Sequence, residues 1–191
     1  MVTRQQQLEA TREALIDAGL RLADQVGLSA MSVNAIVELA GVSKGSFFHH
    51  FGDRAAYLVA LHRGFHERLV RDMLAAVGAQ PPGRDRLLTA AATYMDACLE
   101  HRGVRALLLE ARAEPAIASE VVARNGQMAE LCEPDFTAMG WDRPRESARL
   151  WPGLVAEAAL VEFAAGGRRQ AVRTALGQYL GAGRQKEGPD A

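Results

Sequence analysis

The stretch SVNAIVELAGVSKGSFFHHF, residues 32–51, limits the folds open to this chain more than any other. Val33, Ile36, Val37 and Ala40 recur at the three- and four-residue spacing of an α-helix. Ser32 in front of them is a good N-cap, because its short side-chain oxygen accepts a hydrogen bond from an otherwise unpaired N–H of the first turn. At Gly41 a residue without Cβ takes the positive φ that closes a helix, and Ser43 is placed to cap the next one. Residues 44–50 then present Lys44, Gly45, Ser46, Phe48, His49 and His50, leaving Phe47 and Phe51 to anchor inward. An apolar helix, a glycine turn and a second helix with polar and aromatic groups make the pattern of a DNA-binding helix-turn-helix.

Around this stretch the periodicity predicts helices only. The first runs from about Gln5 to Val26, with Leu8, Leu15, Ala18, Leu22 and Val26 on one face and Gly27 ending it. After Gly52, Asp53 caps a helix with Arg54 in its first turn and an apolar stripe of Tyr57, Leu58, Leu61, Phe65, Leu69 and Met73, reaching about Val77. GAQPPG, residues 78–83, is the clearest linker. Leu87 to Cys98 and Val104 to Arg112 are the next helices. Pro115 fits the first position of a seventh, in which Pro134 is a kink or break. Residues 145–166 bring Trp151, Leu154, Val155, Ala158 and Val161 inward, with Pro152 distorting the first turns. Val172, Ala175, Leu176, Tyr179 and Leu180 mark a last helix before a frayed tail. With 49% hydrophobic and 6% aromatic residues, the core must be built from Ala, Leu and Val, which favours helix over sheet. The expected fold is all-α with about nine helices. A three-helix domain over residues 1–52 is joined by a long helix to a helical domain over residues 53–191.

Several classes are set aside. No run of about 18 apolar residues exists to span a membrane, and the polar start MVTRQQQLEATRE lacks the apolar core of a signal peptide, so a cytoplasmic address is expected. Cys98 and Cys132 are too few for a disulfide framework and read as buried small hydrophobes. His62 and His66 lie four apart on a helix, but no third ligand accompanies them; they are expected to be exposed histidines, with no metal and no cofactor. Gly41-Val42-Ser43-Lys44-Gly45 spells the G-x-S-x-G nucleophile elbow, which requires a preceding strand where a helix stands here, so no enzyme is expected. Net charge is −1, so any contact with DNA comes from a local patch and not from the chain as a whole.

The N-terminal third resembles the tetracycline-repressor (TetR) family of bacterial transcription regulators. The matching residues are Arg12, Leu15, Ile16, Ala18, Leu22 and Gly27, then Ile36, then Ala40-Gly41-Val42-Ser43-Lys44-Gly45-Ser46, then His49-His50-Phe51, with Arg54 where the family usually has lysine. The resemblance covers roughly residues 8–60. Phe48 stands where the family usually has a tyrosine whose hydroxyl meets a phosphate. Val37 and Gly19 replace alanines, Ala23 a phenylalanine and Ala55 an acidic residue.

This resemblance implies a homodimeric, ligand-responsive regulator, a repressor that a small molecule releases from DNA. The alternative is a helical small-molecule-binding dimer that has lost operator binding. Ser32, Ser43, Lys44 and Arg54, at helix N-termini, are expected to meet phosphates. Gly45 and Ser46 approach bases, Phe48 meets a thymine methyl or a sugar, and His49 and His50 touch phosphate. An effector cavity is implied among the fourth to eighth helices, with Tyr94, Met95, Cys98, Leu107, Met128, Cys132, Trp151 and Phe163 as wall and Glu110, Arg112 and Asn125 as polar candidates. That wall suggests a medium-sized, mostly apolar effector. The last helices, near residues 145–166 and 168–181, are expected to pair two copies into a four-helix bundle.

Overall fold

The computed structural model describes residues 3–110 and 115–181, without the side chains of Asp24, residues 26–30, Leu107, Leu108, Glu110, Pro115 and Ala116. Among them lie nine helices and no strand: α1 (Arg4–Ala30), α2 (Val33–Ala40), α3 (Lys44–Phe51), α4 (Arg54–Val77), α5 (Arg84–Glu100), α6 (Arg102–Glu110), α7 (Pro115–Ala138), α8 (Pro144–Ala164) and α9 (Gln170–Tyr179). The all-α expectation holds. One local reading does not, and a second is narrowed. α1 continues through Gly27 to Ala30, because a helical glycine costs only about 1 kcal/mol relative to alanine and does not by itself stop a helix. α7 passes Pro134 as one element, so of the kink or break read there the break is absent. The next residue, Asp135, is held by the Gly83 N–H at 2.8 Å and by Arg86 at 2.6 and 2.7 Å, which ties the helix down just beyond the missing donor. α8 starts with Pro144 at its N-terminus and contains Pro152.

The chain divides into two compact units. The first joins Met1–Arg68 to His101–Val121. α1 packs against α2, α3 and α6, around a core that includes Leu15, Ile36, Phe47, Tyr57 and Leu61. Phe47 meets Tyr57 at 4.9 Å and Phe51 at 5.4 Å between ring centroids. The buried Tyr57 hydroxyl donates to the Leu15 carbonyl at 2.9 Å. Gly19 makes that possible, since a Cβ there would lie 1.9 Å from the hydroxyl oxygen. Arg68 pairs with Asp17, and Arg63 grips Glu120 at 2.7 and 3.1 Å. His62 and His66, expected to be exposed, are buried, with ring centroids 4.5 Å apart. Leu8, read as inward, is exposed.

The second unit joins Leu69–Glu100 to Val122–Ala191. α5 packs on α8 and α8 on α9, around Leu87, Met95, Cys98, Phe136, Trp151, Val155 and Leu176. Glu162, fully buried, accepts from the Arg169 N–H at 2.7 Å and from Arg173 at 2.9 and 2.7 Å, fixing the turn between α8 and α9. Asp96 on α5 pairs with both Arg168 and Arg173 at 2.7 Å. Val161 and Tyr179, read as inward, are exposed, as is Leu150.

Candidate nucleic-acid interface

The two helices and turn of residues 32–51 form as their capping residues require. Ser32 is extended, and its Oγ accepts from the Ala35 N–H at 3.1 Å. Gly41 takes φ 68°, and its N–H and that of Val42 close α2 onto Glu38 and Val37 carbonyls. Ser43 Oγ accepts from the Ser46 N–H at 3.1 Å and lies 3.1 Å from Ser46 Oγ. At the start of α4, Asp53 Oδ1 accepts from the Ala56 N–H at 2.7 Å. The Lys44 and Gly45 N–H groups, in the first turn of α3, have no carbonyl within the helix to bond and are available to an anion.

All nine residues assigned to DNA lie in the first unit, on or next to three successive helices. Ser32, Ser43, Lys44, Gly45, Phe48, His49 and Arg54 are exposed, while Ser46 and His50 are half-buried. Phe47 and Phe51 go to the core, and the Phe48 ring, standing edge-on to Phe47 at 5.4 Å, is 49% exposed. His50 is turned toward α1: burial, then His49 and Arg12, push its imidazole below the ordinary value against the opposing pull of Glu9. Arg12 itself sits 5.6 Å over the Phe51 ring. A Cβ on Gly45 would meet only Ser43 Oγ, at an ordinary 3.6 Å, so nothing inside the chain requires glycine there.

The effector candidates are distributed differently. Met95, Cys98, Cys132 and Trp151 belong to the core of the second unit, with Tyr94 and Met128 packed against it. Of these, only Met128 and Cys132 line the cavity of about 70 Å³ that opens against Val70, Met73, Leu74 and Val77, with Arg86 and Asp135 at its edge. A drug-sized ligand needs about 300–1,000 Å³, so this cavity is too small for the medium-sized molecule the wall composition suggested. Burial, aided by Asp135, pushes the Cys132 thiol up to about 12, so it is not a reactive thiolate. Asn125 and Phe163 are half-buried. Leu107, Glu110 and Arg112 lie outside the described side chains. The Arg86–Asp135 and Arg173–Glu162 pairs were missed; the first joins residues 49 apart, and no sequence signal links them.

Residues 15–61 match the family model of bacterial regulatory proteins, tetR family. The HTH-type transcriptional regulator BetI of Rhizobium meliloti is 36% identical over 76 residues, 40% of this chain and 37% of that protein. The HTH-type transcriptional repressor NemR of Escherichia coli is 34% identical over 82 residues, 41% of this chain and 40% of that protein. The matched stretch thus spans less than half the length of these relatives. A tetR-family regulator from Rhodococcus sp. superposes with a TM-score of 0.75 at 20% identity, covering 91% of this chain and 98% of that one. The multidrug binding protein EbrR, solved with imidazole, gives 0.70 at 20% identity, covering 88% and 89%.

Proposed function

We infer, from a chain whose residues 15–61 match the model of the tetR family of bacterial regulatory proteins, that this protein is a ligand-responsive, DNA-binding transcription regulator and not an enzyme. The observation that carries the reading is α3: a capped, eight-residue helix that commits Phe47 and Phe51 to the core and leaves Lys44, Gly45, Phe48 and His49 outward. Residues 1–52 are the reading head and residues 53–191 the effector-binding and dimerisation domain. Repression is the favoured sign, as in the repressor NemR. Release by a small molecule accords with EbrR, whose solved form holds imidazole. The workplace is the bacterial cytoplasm.

Two copies pair through α8 and α9, where Leu150 and Val161 lie eleven residues, three helical turns, apart on the exposed side of α8 and Tyr179 stands out from α9. Two recognition helices then enter successive major grooves about 34–36 Å apart. Lys44 and Arg54 supply most of the fixed charge, so affinity depends on few phosphate contacts per subunit. A decayed head is disfavoured because the Gly41 turn, the Ser43 cap and Lys44 are all intact.

Selection from a random duplex library, followed by titration of the winning site at several salt concentrations, tests the reading. Sequence-selective binding that weakens with salt is expected; a library that yields no enriched site rules the regulator out.

A further inference from the structure

We propose that Arg105 anchors an anionic effector, a monocarboxylate with an apolar body, within the first unit. The regulator reading is needed only for the consequence at the operator. Arg105, on α6, is 2% exposed, and its Nε has no hydrogen-bond partner. No carboxylate among the described residues pairs with it. Arginine is a permanent cation, so it cannot meet burial by giving up its charge, as a lysine or histidine would.

The second unit shows how this chain otherwise handles a buried charge. Its two buried acids, Asp135 and Glu162, are each gripped by two nitrogens of one arginine, at 2.6–2.7 Å and 2.7–2.9 Å. In the first unit the buried polar side chains among the described residues are His62, His66 and Arg105: all basic, with no acid. An anion from outside the described chain supplies what is missing there. The guanidinium fork matches a carboxylate through two parallel hydrogen bonds. Phe65, Val104 and Ile117, buried in the same unit, are apolar, so the body of the anion is taken to be apolar too. A dianionic phosphate would bring a second charge, and the described residues of this unit hold no second buried guanidinium to meet it.

The position bears on regulation. The Arg105 N–H bonds to the His101 carbonyl at 2.9 Å, one turn back, and the His101 ring stands edge-on to Phe65 of α4 at 6.1 Å. α6 also packs along α1, the helix on which α2 and α3 rest. An anion at Arg105 therefore acts on the support of the reading head inside one compact unit.

Thermal unfolding of the full chain with octanoate, benzoate or inorganic phosphate, each alone, tests the site in wild type and in Arg105→Met. One or both carboxylates should raise the wild-type Tm and weaken operator binding, and phosphate should do neither. Arg105→Met should keep or raise the ligand-free Tm and bind the carboxylate about 10- to 100-fold more weakly, the worth of a charge-assisted bond. Should that variant not fold, the Arg105 Nε–H resonance of the wild type, assigned with Arg105→Lys, replaces it and should shift downfield with the carboxylate. A Tm unmoved by either acid, a response surviving in Arg105→Met, an unmoved resonance, or phosphate matching the acids overturns the proposal. A chain that binds its operator but ignores both acids refutes the anion site alone. One that binds the acids at Arg105 but never DNA refutes the regulator reading and supports the site.

Discussion

Gly19 and Tyr57 show how one missing methyl group sets a local design. The Tyr57 hydroxyl reaches the Leu15 carbonyl across the space a Gly19 Cβ would occupy. Gly19→Ala should therefore destabilise the chain by about 1–3 kcal/mol through overpacking, despite alanine's better helix propensity. Tyr57→Phe in the same chain should recover part of that loss in urea unfolding, because the clashing oxygen is gone; an additive double variant contradicts the account. Gly45 carries the opposite expectation. With only an ordinary contact to Ser43 Oγ at its Cβ position, Gly45→Ala should leave stability equal or about 0.5–1 kcal/mol higher. It should weaken operator binding, since the reason for glycine then lies in the close approach of DNA. The division of Phe47 and Phe51 from Phe48 was legible in the sequence, because helical spacing alone separates them. The burial of His62 and His66 was not: a histidine pair four apart fits either face, and tertiary packing decides which.

Among the elements, α8 and α9 carry the clearest electrostatic consequence. Burial pushes the Glu162 carboxyl up, but Arg173 and the Arg169 N–H outweigh it and hold the group below the ordinary carboxylate range. Asp96 is likewise raised by burial and brought below its ordinary value by Arg173 and Arg168. Carboxyls that titrate lower in the folded chain than in the unfolded one contribute stability above the unfolded value and lose it as pH falls through the folded one. The denaturation midpoint should thus drop as pH falls below about 4, the ordinary carboxylate range. Glu162→Gln should flatten that dependence while costing about 3–5 kcal/mol at neutral pH, because Arg173 loses its buried partner. An unchanged acid slope in the variant would falsify this assignment. The same logic bears on Pro134, read as a kink or break: local rules allow either, but the bonds that hold Asp135 come from residues 52 and 49 positions earlier. The ends of α2 and α3 were legible because each cap is made by a residue within four positions of its partner.

At the scale of the whole molecule, a chain of 20.6 kDa should sediment at about twice that mass, and Leu150→Glu combined with Val161→Glu should return it to the monomer. The monomeric variant should lose most operator affinity, since each half-site alone offers few phosphate contacts; a double variant that stays dimeric moves the interface elsewhere. The sequence by itself determined the all-helical class, the helix-turn-helix and the division of the buried Phe47 and Phe51 from the exposed Phe48. Those properties follow from periodicity, caps and turns, whose physics acts over one or two turns of helix. Tertiary structure alone decided the packing of α6 on α1, the buried histidines, the unbonded Nε of Arg105 and the arginine grips on Asp135 and Glu162. Each depends on which side chains meet across tens of residues of chain, and burial turns a routine charged residue into either a fixed tie or an unmet demand for a partner.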